Sequence, residues 1–269
     1  QGHATTGILD VFWEEKGIIS SQDFLKFNGE CVLLMRCSER TYFAGDIINV
    51  DIDLSNYSSD SLTNAQLRWK LADNENVFDS GTIEKKEIEN GCISRIGRIS
   101  AKTPEGQARH LMLQVELSTK QEIYENQWDF WVYPRPIQRS EYRKVWTDLP
   151  ILRTMLFNAV FKKHIGTNWL SYRKENNVDL AITDQLSKDI LQFVLDGGNV
   201  WLMTTNGKQH DDVLTRYLPI FWNYLWFPEQ VGTTMGMIIH DHPSLNGFPH
   251  DGISNWQWYH LVDQTYAIS

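Results

Sequence analysis

In the stretch Leu111-Met112-Leu113-Gln114-Val115-Glu116-Leu117 every second residue is aliphatic, with Met112, Gln114 and Glu116 between them. Strand side chains point to opposite faces in turn, so this spacing predicts a strand with one buried face. The same period recurs on both sides of it. Ile47, Ile48, Val50, Ile52 and Leu54 run with Asn49, Asp51, Asp53 and Ser55. Leu67, Trp69 and Leu71 alternate with Arg68 and Lys70, and Trp128, Phe130 and Val132 repeat the pattern. Turn-forming clusters separate the runs: Ala44-Gly45-Asp46, Asn56 to Asp60, Asp73-Asn74, Asn90-Gly91 and Pro104-Glu105-Gly106. Short strands at this spacing across residues 31–135 predict an immunoglobulin-like antiparallel β-sandwich.

Beyond Pro134 and Pro136, which mark a linker, the period changes. Val178 to Thr183 reads as a strand, with Asp184 placed to cap a helix. Leu186, Ile190, Phe193 and Val194 then share one helical face, Gly197-Gly198 ends it, and Asn199 to Thr204 supplies the next strand. Strand, helix, strand implies a right-handed crossover in a parallel sheet. Leu149 to Phe161 reads as a further helix and Met235 to His240 as a further strand. Residues 140–269 are thus expected to form a flavodoxin-like α/β domain, incomplete at its end because Tyr266-Ala-Ile-Ser269 closes no helix.

Residues 1–30 fit neither pattern. Gly7 to Trp13 is a short apolar run that reads as a buried strand. Ser20 or Ser21 caps a short helix carrying Phe24, Leu25 and Phe27, and Gly29 stops it. One strand and one short helix cannot bury their own apolar surface, so this segment calls for neighbours.

Composition narrows the function. The chain has 269 residues, 42% hydrophobic and 22% charged, as an ordinary globular protein has. A net charge of −9 disfavours binding to nucleic-acid phosphates, and no apolar run is long enough to span a bilayer. Three cysteines, Cys31, Cys37 and Cys92, show neither a metal spacing nor a disulfide framework. No cysteine follows Cys92, which removes thiolate chemistry from the second domain. Gly-x-Ser-x-Gly, Gly-x-Gly-x-x-Gly and Walker motifs are absent. His240-Asp241-His242 with His250 suggests zinc, but histidines in loops more often bond to backbone, and no metal or other cofactor is expected. Asp51-x-Asp53 reads as solvent-facing alternation rather than a calcium site, and Asn56-Tyr57-Ser58 matches a glycosylation acceptor.

Several phrases, in order, resemble the carboxy-terminal region of family 2 glycoside hydrolases of the β-galactosidase type. Gly7-Ile-Leu-Asp-Val-Phe-Trp-Glu-Glu-Lys16 with Phe24-x-x-Phe27 is similar to the last strand and helix of that family's (β/α)8 barrel. Trp128-Asp-Phe-Trp-Val-Tyr-Pro134 resembles the close of the following sandwich. Phe221-Trp-Asn-Tyr-Leu-Trp-Phe-Pro228, His242-Pro-Ser-Leu-x-Gly-Phe-Pro249 and Ser254-Asn-Trp-Gln-Trp258 resemble its carboxy-terminal α/β domain, similar in fold to class I glutamine amidotransferases. The resemblance implies a bacterial enzyme of carbohydrate breakdown, periplasmic or extracellular, with carbohydrate as its ligand. It also implies that the catalytic glutamates, about 5–5.5 Å apart in retaining enzymes, lie on a barrel upstream of Gln1, with further sugar-binding domains. Glu14 and Glu15 are adjacent, diverge on a strand, and suit an ion pair instead. The chain alone is expected to be inactive. Alternatives are a stand-alone carbohydrate-binding or interaction module, and an independent enzyme using the α/β strand ends.

Eleven tryptophans make aromatic platforms a candidate theme. Trp13, at the carboxyl end of the expected barrel strand, is placed either to stack on a sugar or to plug the barrel rim. A second site is expected beyond the strands of the α/β domain. There Thr204, Thr205 and Asn206 would meet His240 and His242, with Trp222, Trp226, Trp256 and Trp258 closing round them. The competing expectation makes these four tryptophans core.

Overall fold

The computed structural model describes residues 7–120, 122–135, 144–150, 152, 165–166, 177–203, 213–219 and 231–267. Among these, strand predominates over helix. Two compact units divide the chain: Gln1–Arg135 with His242–Pro249, and Pro136–Asp241 with His250–Ser269.

The first unit is a β-sandwich. One sheet has the order β1-β3-β6, from β1 (Cys31–Arg36), β3 (Ile47–Asn56) and β6 (Cys92–Lys102). The other has the order β2-β8-β7-β4-β5, from β2 (Thr41–Phe43), β4 (Leu62–Ala72), β5 (Val77–Ile88), β7 (Arg109–Ser118) and β8 (Ile123–Tyr133). Pairing is antiparallel except between β2 and β8. The alternation seen in sequence becomes the core: Ile48, Val50, Ile52 and Leu54 of one sheet face Leu67, Leu71, Leu111, Leu113, Leu117 and Phe130 of the other. Ile47, at the start of its run, is exposed.

Polar residues of the sandwich are committed to structure. Asn56 is fully buried. Its Nδ2 donates to the carbonyls of Asp60 (3.2 Å), Ile88 (3.4 Å) and Glu89 (3.3 Å). Its Oδ1 accepts from Ser58 Oγ (2.7 Å) and Cys31 Sγ (3.2 Å). The glycosylation-like triplet is therefore a loop clasp, with its amide withdrawn from solvent. Asp51 pairs with Arg95 and Arg98, and Asp53 with Arg36. Guanidinium groups take up both carboxylates of the Asp-x-Asp pair, leaving a cross-strand charge ladder.

The segment at Gly7 to Trp13, expected as a strand, forms none. Leu9 and Glu15 make an isolated antiparallel bridge. The Asp10 carboxylate accepts the N–H groups of Phe12 (2.8 Å) and Glu14 (3.0 Å). Such a side-chain turn competes with extended backbone, and among the described residues no strand opposes it. Helix α1 (Ser21–Leu25) follows, capped by Ser20 Oγ, which accepts the Asp23 N–H at 3.1 Å. Glu15 Oε1 accepts the Ser21 N–H at 2.7 Å.

The second unit contains a four-stranded parallel sheet of order β10-β9-β11-β12, from β9 (Val145–Thr147), β10 (Ile165–Gly166), β11 (Leu180–Thr183) and β12 (Asn199–Leu202). The strands expected at Val178 and Asn199 are parallel neighbours. Both faces of this sheet carry core: Trp146, Ala181, Ile190 and Phe193 on one, Val145, Leu149 and Ile182 on the other. Covering both faces is what a parallel sheet requires.

Three expectations for this unit are corrected. The helix following β11, α2 (Lys188–Leu195), is capped by Ser187, whose Oγ accepts the Ile190 N–H at 3.3 Å, and not by Asp184. Starting later, it buries Ile190 and Phe193 but leaves Leu186 and Val194 exposed. Met235 to His240 holds only one bridge, Ile238 to Ile253, because Gly236 turns the chain at φ 74°. Most of the helix expected over Leu149 to Phe161 lies outside the described residues. A smaller sheet joins β13 (Val213–Arg216), β14 (Gly232–Thr233) and β15 (Tyr266–Ala267), with β13 central.

Candidate functional site

The connections of the parallel sheet leave β9 in opposite directions: the chain first adds β10 on one side, then returns to add β11 and β12 on the other. The strand order therefore reverses between β9 and β11. In open α/β sheets such a reversal opens the crevice where ligands bind.

The residues at that edge follow from register. Trp146 pairs with Ala181 and Thr147 with Ile182, so Asp148 stands opposite Thr183. Two residues beyond Trp146 and Ala181 respectively, both point to the face that α2 covers. Thr183 is fully buried, and its Oγ1 donates to Asp148 Oδ2 at 2.9 Å. The same hydroxyl accepts the Gln185 N–H at 3.1 Å, which fixes its orientation. Thr147, also fully buried, accepts the Leu149 N–H at 3.1 Å and sharpens the turn after β9. Asp148 Oδ1 is shielded from solvent and has no hydrogen-bond partner. A shielded acceptor without a donor is costly and uncommon; Asn255 Oδ1 is another among the described residues.

Asn206, Trp222 and Trp226, with Thr204 and Thr205, lie outside the described residues. Trp13 projects into solvent, 83% exposed, at φ 67°. Trp256 is 47% exposed and clusters with Tyr217 and Tyr259, at ring separations of 5.5 and 6.4 Å. Burial raises the Tyr217 phenol above its ordinary value. Trp258 is half-buried beside His250, ring centres 6.5 Å apart. His242 caps a short 3-10 turn (Pro243–Leu245), its Nδ1 accepting the Ser244 N–H at 3.2 Å. His250 Nδ1 likewise accepts the Gly252 N–H at 3.2 Å. These histidines serve backbone turns, and no group of three metal-ligating residues occurs among the described residues.

Sequence reading placed the site at the end of β12 and at Met235 to His240; the geometry marks β9 and β11. A signal was available. Val145-Trp-Thr-Asp148 and Ala181-Ile-Thr-Asp184 are two apolar pairs each followed by Thr-Asp.

Residues 46–134 match a family model described as Domain of unknown function (DUF8488), and residues 181–269 match another, Domain of unknown function (DUF8487). The first coincides with β3 to β8 of the sandwich, and the second runs from β11 onward. No curated protein matches the chain. Among solved structures, similarity is distant and partial. The sporulation control protein Spo0M from Bacillus subtilis is 10% identical, covering 39% of this chain and 50% of that one, at TM-score 0.32. A family 123 glycoside hydrolase from Clostridium perfringens is 13% identical over 57% of this chain and 37% of its own, at TM-score 0.30. A cycloisomaltooligosaccharide glucanotransferase from Paenibacillus sp. is 8% identical over 54% and 19%, at TM-score 0.31. The chain thus spans half or less of the length of each of these three.

Proposed function

We propose that this chain is the accessory, non-catalytic part of a glycoside hydrolase of the family 2, β-galactosidase type. In this reading the sandwich is an immunoglobulin-like domain. The parallel sheet, with its reversal between β9 and β11, is the core of a flavodoxin-like, amidotransferase-like domain. The observation that carries the proposal is the apolar surface of the first segment. Phe12, Trp13, Ile18, Leu25 and Phe27 are all more than half exposed, within one short stretch held by a single bridge and one turn of helix. Contiguous exposed apolar side chains mark a surface that a partner covers. A preceding catalytic barrel is the partner proposed, and Trp13 then lies at its rim. Sequencing the gene upstream of Gln1 tests this: a (β/α)8 barrel with two catalytic glutamates is expected, and an unrelated domain there overturns it.

The second reading, a stand-alone carbohydrate-binding module, draws on the exposed Trp256 indole beside Tyr217 and Tyr259. Aromatic faces next to polar groups suit sugar rings. Retardation of the purified chain on polysaccharide gels, abolished by Trp256→Ala, would favour it.

A further inference from the structure

We infer that the outer face of the five-stranded sheet binds an extended, uncharged β-1,4-linked polysaccharide, laid across β5, β4, β7 and β8. The inference rests on the sandwich alone and stands whether or not the chain belongs to a family 2 hydrolase. An open groove of about 580 Å³ crosses these four strands. Leu67, Leu71, Leu113 and Leu117 face the core, so the residues alternating with them face outward. Register sets the outward residues in rows. Ser80, Lys70, Gln114 and Gln127 stand side by side in one, and Arg68, Glu116 and Glu125 in the next. Both rows line the groove.

The chemistry of the rows selects the ligand. Every side chain in them is polar, whereas a docked protein surface needs an apolar centre. Their charges balance. Arg68 lies 3.7 Å from Glu116, and Lys26 at the rim pairs with Asp23 at 2.7 Å, which leaves Lys70 and Glu125, one of each sign. The side-chain amides of Gln114 and Gln127 make no hydrogen bond among the described residues. Each offers donors and an acceptor, the pairing that a sugar hydroxyl takes up. Spacing decides between polymers. Neighbouring strands lie about 4.8 Å apart. An extended chain of β-1,4-linked hexoses advances by nearly that length per unit, so successive sugars meet successive strands. An extended peptide, at about 3.3 Å per residue, falls out of step.

Calorimetry on the whole chain tests the inference, with β-1,4-linked hexasaccharides of glucose, mannose and galactose, the corresponding disaccharides, and polygalacturonate. At least one neutral hexasaccharide should bind, and its disaccharide at least about tenfold more weakly, having lost the contacts to two strands. Replacing Gln114 and Gln127 together by alanine should weaken the hexasaccharide by about tenfold, the loss of two neutral hydrogen bonds. Lys86→Ala, exposed on β5 outside the groove, should leave it unchanged. Circular dichroism shows whether each variant is folded. If the double variant does not fold, amide chemical-shift changes in the wild-type chain take its place, and should fall on β4, β7 and β8. No binding of any neutral hexasaccharide, tighter binding of polygalacturonate, shift changes confined to the second unit, or an affinity indifferent to the folded double variant overturns the inference. A loss on Trp256→Ala without one in the double variant also overturns it, and favours the second reading above.

Discussion

The indole of Trp69 lies flat on Gly81, its directly opposite partner across β4 and β5. Three indole atoms come within 2.8 Å of where a Cβ on Gly81 would sit. A rigid ring packed against the edge of the core yields less readily than a flexible side chain would. Gly81→Ala should therefore destabilise the sandwich by about 1–3 kcal/mol, the usual cost of overpacking. Urea denaturation measures it, and the double variant with Trp69→Leu should recover part of the loss. An unchanged midpoint for the single variant would refute the tight contact.

Asn56 holds three loop carbonyls with one amide. Asn56→Ala leaves those carbonyls without a side-chain donor and Cys31 Sγ without its acceptor. The expected loss is about 1–3 kcal/mol per acceptor left dry, reduced where water enters. Hydrogen exchange should show faster opening at residues 57–62 and 88–92 while the β7–β8 pairing stays protected.

Asp263 gives the second unit an acid dependence. Its Oδ1 accepts the Tyr217 N–H at 2.9 Å and Arg216 Nε at 3.1 Å, and these hold its pKa below 3.8, the Tyr217 bond most of all. A carboxyl whose pKa is lowered by folding stabilises the fold above its unfolded value and loses that contribution as pH falls through the folded one. Thermal stability of the wild-type chain should thus fall more steeply below about pH 4 than that of Asp263→Asn. At pH 7 the variant should be the less stable of the two. Parallel acid limbs would contradict the assignment.

Trp131 and Trp256 separate packing from presentation. Trp131 is 1% exposed although it points to the face of β8 opposite the core residues Phe130 and Val132, where its ring stacks on His110, so Trp131→Ala should cost about 3–5 kcal/mol. Trp256, half exposed, should cost about 1–2 kcal/mol when replaced by alanine, since it has less apolar area to lose. Chemical denaturation of the two variants decides it, and a loss at Trp256 equal to that at Trp131 would make it a core residue.

The sandwich was the most legible part of the sequence. Its strands bury one face only, so Leu111, Leu113 and Leu117 write the core into a period of two. The crossover between β11 and β12 was legible for a similar reason, through the helical spacing of Ile190 and Phe193. Short elements were not. Gly7 to Trp13 has the apolar content of a strand, yet Asp10 bonds its own backbone and turns it. Met235 to His240 fails at Gly236, where the left-handed backbone ends any extension. The β9–β11 edge was not legible because β9 has only three residues, too few for periodicity. What marks it is a relation between Asp148 and Thr183 that only the pairing of distant segments creates.

Hydrolysis of aryl β-glycosides by the purified chain tests the accessory role most directly. The account predicts none, because the two glutamates that would act as acid/base and nucleophile are placed on another part of the polypeptide. Turnover that persists through repeated purification and disappears on substituting a residue of this chain would contradict it.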